Sequence, residues 1–501
     1  MSCLTVAGVW GTLLASGAAA QQLAGTGSIS GVVRDISGAS IPDAQVEVRN
    51  ELRGIRRILK TDSGGMFSAL ALEPADGYSV LVAKEGFAPL ENIGVVVQVG
   101  ADVNIVFNLA IVTSQTSVAV VAAAPMADLT RMGVSQVVTD SQIMNLPING
   151  RRVDTYVLLT PAVVPDGVLG LVSFRGIAGG NAFLTDGNDT SNQFFDENAG
   201  RTRIFTQISQ DAVQEFQVLS SGYSAEYGRA SGGIINTVTR SGSNDTHGTV
   251  YWFFRNRTLD ARDPHSSINP PERRYQTGAS IGGNIVKDKL FYFFNGEVNR
   301  RGFPLVASLG RPPLFDATGN FVGTCNATLQ QCAAALHFLN RQFQVLDRWA
   351  NSELGFGKLD WLPTQRHQIS ASFNYLRWIS PNGFQTQAVL NDGEGVGASG
   401  DSSVRTRYGR LAWKFLASST RINELRFGWF KDRHADNINP ALVPPETGLV
   451  GITVEGQPNL GVNADLPRID PSENRFEIAD VLTSVMGRHS WKFGGGLVQT
   501  E

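Results

Sequence analysis

From His367 to Trp378 the chain reads H-Q-I-S-A-S-F-N-Y-L-R-W, so that Ile369, Ala371, Phe373 and Tyr375 alternate with Gln368, Ser370, Ser372 and Asn374. A period of two places these sets on opposite faces of an extended strand. Segments of the same rhythm recur near 247–256, 275–286, 289–300, 354–362, 406–416, 421–431, 475–485 and 490–500. Alternating runs of about ten residues suit membrane-spanning strands, although a soluble β-sandwich alternates too. The aromatic clusters Y-W-F-F at 251–254 and L-F-Y-F-F at 290–294 favour the girdles of a barrel. After its opening residues the chain has no run of the roughly 20 apolar residues that a spanning helix needs. Any crossing of a membrane is therefore made by strands.

Composition agrees with strands and turns. Glycine numbers 54 of 501 residues, and only 17% are charged, against averages of about 7% and about 25%. The 42 Lys and Arg nearly balance the 45 Asp and Glu, so no basic field points to nucleic acid. The length implies several domains. Met1 to Gln22 carries a short apolar run, Leu4 to Leu14, followed by Ala18-Ala19-Ala20. That is the pattern of an export signal, and residues 1–20 are read as one.

Residues 27–110 contain short β-branched or alternating runs separated by turns at 35–42, 62–65 and 74–77, the rhythm of a small β-sandwich. Gly31 to Val46 carries G-x-V-x-D-x-x-G-x-x-I-P-x-A-x-V and resembles the carboxypeptidase regulatory-like domain. Catalysis is not implied, because the chain has no H-E-x-x-H and its six histidines are scattered.

Residues 136–240 mix strand and turn signals with two short helices. One spans 139–145, with Asp140 or Ser141 as cap, and the other is the run closed by Pro161. The ordered motifs L-P-I-N-G-R, S-F-R-G, F-L-T-D-G, A-V-Q-E-F-Q-V and Y-S-A-E-Y-G-R-A-S-G-G-I-I-N-T-V-T-R-S-G resemble the plug domain of TonB-dependent outer-membrane receptors, nearest to the Oar-like subfamily. The fold so implied is mainly β: a small β-sandwich, an α+β plug over 116–242 with its coupling segment, and an incomplete antiparallel transmembrane β-barrel over 246–501. Nine strands do not close the barrel of this family, and Glu501 falls inside a strand, so a partial sequence is expected.

The resemblance implies an outer-membrane location and import of a ligand, a chelate, carbohydrate or peptide, driven by TonB. Strand addition at Thr116, Val118, Val120 and Val121 would make the TonB contact. Arg229 and Arg240 are expected to pair with wall carboxylates such as Glu297. Carbohydrate binding by the N-terminal module, adhesion without import, and a soluble secreted β-protein remain alternatives. No cofactor, metal or catalytic residue is expected. Ser280 of G-A-S-I-G falls in a strand rather than a nucleophile elbow. G-V-G-A-S-G at 395–400 is read as a flexible surface loop. Asp186, Asn188 and Thr190 lack the glycine and glutamate of a calcium loop. In an exported chain, Cys325 and Cys332 are expected to form a disulfide in a long loop.

Overall fold

The computed structural model describes residues 25–112, 119–122, 134–148, 151–165, 172–193, 197–198, 204, 206–262, 269, 271–308, 326–383, 390–392, 394–443, 445, 448, 450–453, 459–463, 472–486 and 489–501. The expected export signal lies outside them.

Nine strands form one antiparallel wall in chain order: His247–Asn256, Arg273–Val286, Leu290–Gly302, Trp349–Thr364, His367–Ser380, Gly400–Ser418, Arg421–Ile438, Ser472–Met486 and His489–Thr500. All nine expected segments are strands, and several run longer than their alternation, because ladder bonds continue past the apolar stripe. The first and last strands do not pair with each other, so the wall is open. Tight turns at 287–289, 365–366 and 419–420 mark one end, and the connections 257–272, 303–348, 381–399 and 439–471 mark the other. These are called the turn end and the loop end.

The sense of the alternation separates a barrel wall from a sandwich. Phe373, Leu411, Trp361 and Ile478 are 47%, 48%, 48% and 47% exposed on the convex face, whereas Asn374, Glu424, Asp432 and Arg475 are at most 1% exposed on the concave face. A soluble sheet buries its apolar set; this one displays it and buries the polar set. Aromatic rings stack along the displayed face, as in Trp252–Phe254 and Trp491–Phe493.

Within the concave face sits an inner unit with a five-stranded sheet, in the order Asn188–Asp189, Ala182–Thr185, Ile234–Thr239, Val213–Leu219, Ser135–Val138. Ile234–Thr239 is its centre and all six residues are buried. The two glycines before it allow close packing: a Cβ on Gly232 would stand 2.2 Å from Asn181 Oδ1, and one on Gly233 2.3 Å from the Phe174 ring. The helix Asp140–Asn145 is capped by Thr139, not by Asp140 or Ser141, because Thr139 and Gln142 close a capping box. The second expected helix is a 3-10 helix, Val153–Leu159.

The N-terminal module is a two-sheet sandwich. Met66–Leu72, Gly27–Asp35 and Asp102–Leu109 form one sheet; Ile55–Lys60, Gln45–Asn50, Ala75–Ala83, Leu90–Val97 and Ala119–Ala122 form the other. Val33, Ile41, Ala44 and Val46 of its motif enter the core. Asp35 turns the chain by accepting from the N–H groups of Ser37 and Ala39.

Two loop-end features depart from the sequence reading. Leu329–Gln342 is a helix with a Thr328–Gln331 capping box, a signal present in T-L-Q-Q within the long aperiodic connection between two wall strands. Residues 395–400 are not a loose loop: Val396, Gly397 and Ala398 form a buried 3-10 turn, and Gly397 packs so closely on Gly461 that a Cβ would lie 3.0 Å from its carbonyl oxygen.

Gly233→Ala is expected to destabilise the inner unit by about 1–3 kcal/mol, the usual cost of overpacking, read as a lower melting temperature of that unit. An unchanged melting temperature would show that the Phe174 contact is dispensable.

Candidate functional site: the junction of wall, inner unit and module

The hairpin Ala182–Asp189 carries a heavily bonded turn of the inner unit. Asp186 and Gly187 both have positive φ, 48° and 85°, as a two-residue type I′ turn requires, and D-G is its favoured sequence. The turn buries Asp186. Its Oδ1 accepts the Thr239 N–H at 2.9 Å and its Oδ2 the Thr239 hydroxyl at 2.7 Å. From the wall, Lys358 Nζ and Arg410 Nη1 approach Oδ2 to 3.9 and 4.0 Å. Lys358 also donates to Thr239 Oγ1 at 3.1 Å, and Arg410 Nε donates to Asn188 Oδ1 at 3.1 Å. Arg426 donates to the Gly187 carbonyl at 3.2 Å. Gly428 keeps this wall position open, since a Cβ there would be 2.6 Å from Asn188 Nδ2.

A second grip follows directly. Arg475 donates to the Asp189 carbonyl at 2.7 Å and to Glu473 at 2.9 Å. The Asp189 N–H donates to Glu477 at 3.2 Å and the Gln193 N–H to Glu473 at 2.9 Å. Asn192 donates to Asp432 Oδ2 at 2.8 Å, while Thr406 donates to Asp432 Oδ1 at 2.6 Å. On the other side of the inner unit, Glu297 accepts from Ser209 at 2.7 Å, Tyr251 at 2.5 Å and Gln276 at 2.7 Å. Arg151 lies over the Tyr251 ring at 4.2 Å and pairs with Asp211 at 3.1 Å. Nearly all of these contacts are polar. Such bonds orient a unit firmly, yet each contributes little net energy.

The module closes on the turn end. Asn244 joins it to the wall, its N–H donating to the Leu52 carbonyl at 2.7 Å and its side chain to Asp288 at 2.6 Å. Arg53 donates to the carbonyls of Ser241 and Gly242 at 2.9 and 2.7 Å. The Val99 N–H donates to Glu215 of the inner unit at 2.8 Å. Leu70 and Ala71 form an apolar contact with Ile422 and Val481.

The expected site residues fall as follows. Arg229 pairs with Asp189 at 3.6 Å, and Arg240 with Asp140 and the Val213 carbonyl. The structure brings neither arginine to Glu297, whose partners are a serine, a tyrosine and a glutamine; both arginines stay within the inner unit because its own carboxylates are nearer. Val120 and Val121 lie in the strand Ala119–Ala122, whereas Thr116 and Val118 lie outside the described residues. Cys332, on the loop-end helix, is disulfide-bonded; Cys325 lies outside the described residues. Among the described residues no three or more His, Cys, Asp or Glu are grouped to hold a metal ion. Sequence reasoning missed Lys358, Arg410, Asp432 and Arg475. Their signal was phase: each is a charge at the inward beat of a strand whose outward beat is apolar.

The Asp186 carboxyl belongs to the inner unit rather than to a spanning strand. Burial opposes its charge, but Lys358, Arg410 and the two Thr239 donors outweigh burial and hold it below the ordinary carboxylate range. A depressed folded value stabilises the folded form above the unfolded pKa of about 3.9 and loses that stabilisation as pH falls through the folded value. The inner unit should therefore resist proteolysis from neutral pH down to about pH 4 and loosen below it. Asp186→Asn should loosen it already at pH 7, by roughly 1.5–3 kcal/mol for lost charged hydrogen bonds. Equal protection of both proteins at pH 7 would refute this role.

Comparison with known proteins accords with this geometry. The family described as Outer membrane beta barrel domain matches residues 238–350 and 339–501, and Carboxypeptidase regulatory-like domain matches residues 28–110. The TonB-dependent transporter Oar of Myxococcus xanthus is 29% identical over 386 residues, 73% of this chain and 34% of that protein. A probable TonB-dependent siderophore receptor, PirA, of Acinetobacter baumannii is 29% identical over 94 residues, 19% of this chain and 11% of its own. The solved siderophore receptor PirA from Acinetobacter baumannii aligns with TM-score 0.48 and 15% identity, covering 73% of this chain and 48% of that one. The outer membrane transporter YddB of Escherichia coli aligns with TM-score 0.48 and 13% identity, over 73% and 48%. The chain thus spans about a third of the length of Oar. The curated relatives are a transporter and a probable receptor, and the barrel match places the chain in the outer membrane.

Proposed function

From a chain that belongs to the outer-membrane β-barrel family, we infer a TonB-dependent receptor that imports an extracellular ligand through a plugged barrel. In this reading residues 116–242 are the coupling segment and plug, the turn end with its module faces the periplasm, and the loop end faces outward. Short periplasmic turns and longer outer loops are the rule for such barrels.

The observation that carries the reading is the grip on Thr185–Gln193. Apolar contact between the inner unit and the wall is made at Phe293 and Phe356 and around Ile204. The run 185–193 is instead held by separate polar bonds in a polar lumen, from Lys358, Arg410, Arg426, Asp432, Glu473 and Arg475. Each can exchange for water as the unit moves, so a modest pull suffices to part them in turn. TonB supplies that pull at Thr116, Val118, Val120 and Val121, where strand addition needs only backbone groups.

Two measurements test the reading without a known ligand. Cells expressing the gene with residues 135–239 deleted should admit large hydrophilic antibiotics that the parent excludes; equal exclusion would show that the inner unit does not block the lumen. A purified TonB periplasmic domain should bind the parent protein and lose at least tenfold in affinity on deletion of 116–122. Unchanged affinity would place the TonB contact elsewhere.

A further inference from the structure

The segment Ala119–Ala122 has a mate of its own. It runs parallel to the module strand Leu90–Val97, with Leu90 opposite Ala119, Glu91 opposite Val120, Asn92 opposite Val121 and Ile93 opposite Ala122. It is thus the outermost strand of the module's five-stranded sheet. The chain ahead of it is tied down as well: the Ala88 N–H donates to the Ala110 carbonyl at 2.8 Å and the Val112 N–H to the Gly86 carbonyl at 3.1 Å.

The far edge of the same sheet is fastened to the wall. The Arg56 N–H donates to Gln365 Oε1 at 3.1 Å, in the tight turn 365–366, and Gln365 Nε2 donates to the Gly54 carbonyl at 3.5 Å. Gly54 lies so close to the turn at Asp288 that a Cβ would stand 2.7 Å from its Cα. Arg53 and Asn244 add the bonds described above. A continuous ladder therefore leads from Ala119–Ala122 across the module to the wall, separate from the covalent path into the inner strand Ser135–Val138.

Tension follows the stiffer of two paths. While the ladder to Leu90–Ile93 holds, a pull on Ala119–Ala122 loads the module and, through it, a wall anchored in the membrane. Only when the ladder parts does the covalent path take the load. We propose that the N-terminal module is a brake on the coupling segment: its strand Leu90–Val97 holds Ala119–Ala122 in parallel register and diverts the pull of TonB from the plug until those four residues separate. The proposal rests on the reading that TonB pulls at this segment. It gives the module a mechanical role, distinct from binding a carbohydrate.

The test is Ile93→Cys with Ala122→Cys in the full chain, which places a thiol on each side of a register pair that avoids the four residues named for the TonB contact. The protein is reconstituted in a bilayer and pulled through a tip bearing the TonB periplasmic domain. After reduction, pulling should extend the inner unit by roughly 360 Å, the contour length of residues 135–239 at about 3.4 Å per residue. After oxidation that extension should vanish while TonB still adheres, and the parent should behave alike under both conditions, which controls for the disulfide at Cys332. Equal extension in the oxidised and reduced double variant would overturn the brake and leave the TonB contact standing. Failure of TonB to adhere to the parent would overturn the functional reading, and the brake with it.

Discussion

Hydrocarbon offers no partner to a backbone N–H or C=O, and each one left unpaired there costs several kcal/mol. That constraint governs the wall. Every strand from Arg273–Val286 to Ser472–Met486 is paired on both sides by near-continuous ladders, and side chains then sort by solvent. The convex face takes Phe373, Leu411 and Ile478, and the concave face takes Asn374, Glu424, Asp432 and Arg475. A wall with this polarity presents a charged interior, and whatever fills it must meet that interior with polar atoms.

The inner unit answers this demand in a particular way. Its own core is apolar, built on Val138, Ile143, Phe174, Phe216 and Ile235, with Phe293 and Phe356 reaching in from the wall. Its face toward the later strands is instead the run from Thr185 to Gln193, where backbone and short polar side chains meet Arg410, Arg426, Glu473, Arg475 and Glu477. Asp186 is the pivot, because it ties the turn to Thr239 of the central strand and sets its charge against Lys358 and Arg410. One carboxylate thus joins the unit's internal order to its seat in the wall. The module continues the same logic at the turn end, bonding to both partners through Arg53, Asn244 and Glu215.

Much of this was legible in the sequence, for reasons that differ by element. The wall was legible because a period of two, sustained over many segments, has few other causes; Ile369 to Tyr375 gives both the strand and its outward face. Gly232 and Gly233, adjacent before a β-branched run, suit the close approach that Asn181 and Phe174 make. D-G at 186–187 is a favoured sequence for the tight turn it forms. The partners of charged residues were not legible, since pairing across 222 positions, as between Asn188 and Arg410, depends on how the inner unit is rotated within the wall. Arg229 and Arg240 illustrate this: a basic residue near the end of the unit suggests a wall carboxylate, yet Asp189 and Asp140 lie closer. The helix Leu329–Gln342 carried a readable capping box, Thr328 with Gln331, within a segment otherwise without period.

Residues 185–193 lie inside the concave face, bonded to the seventh and eighth strands of the wall. Oxidative cross-linking of Asn192→Cys with Asp432→Cys in intact outer membranes tests this placement most directly, since those side chains meet at 2.8 Å. A cross-link in high yield is expected, reversed by reductant and absent from either single variant. No cross-link, with both thiols open to a membrane-impermeant reagent, would contradict it.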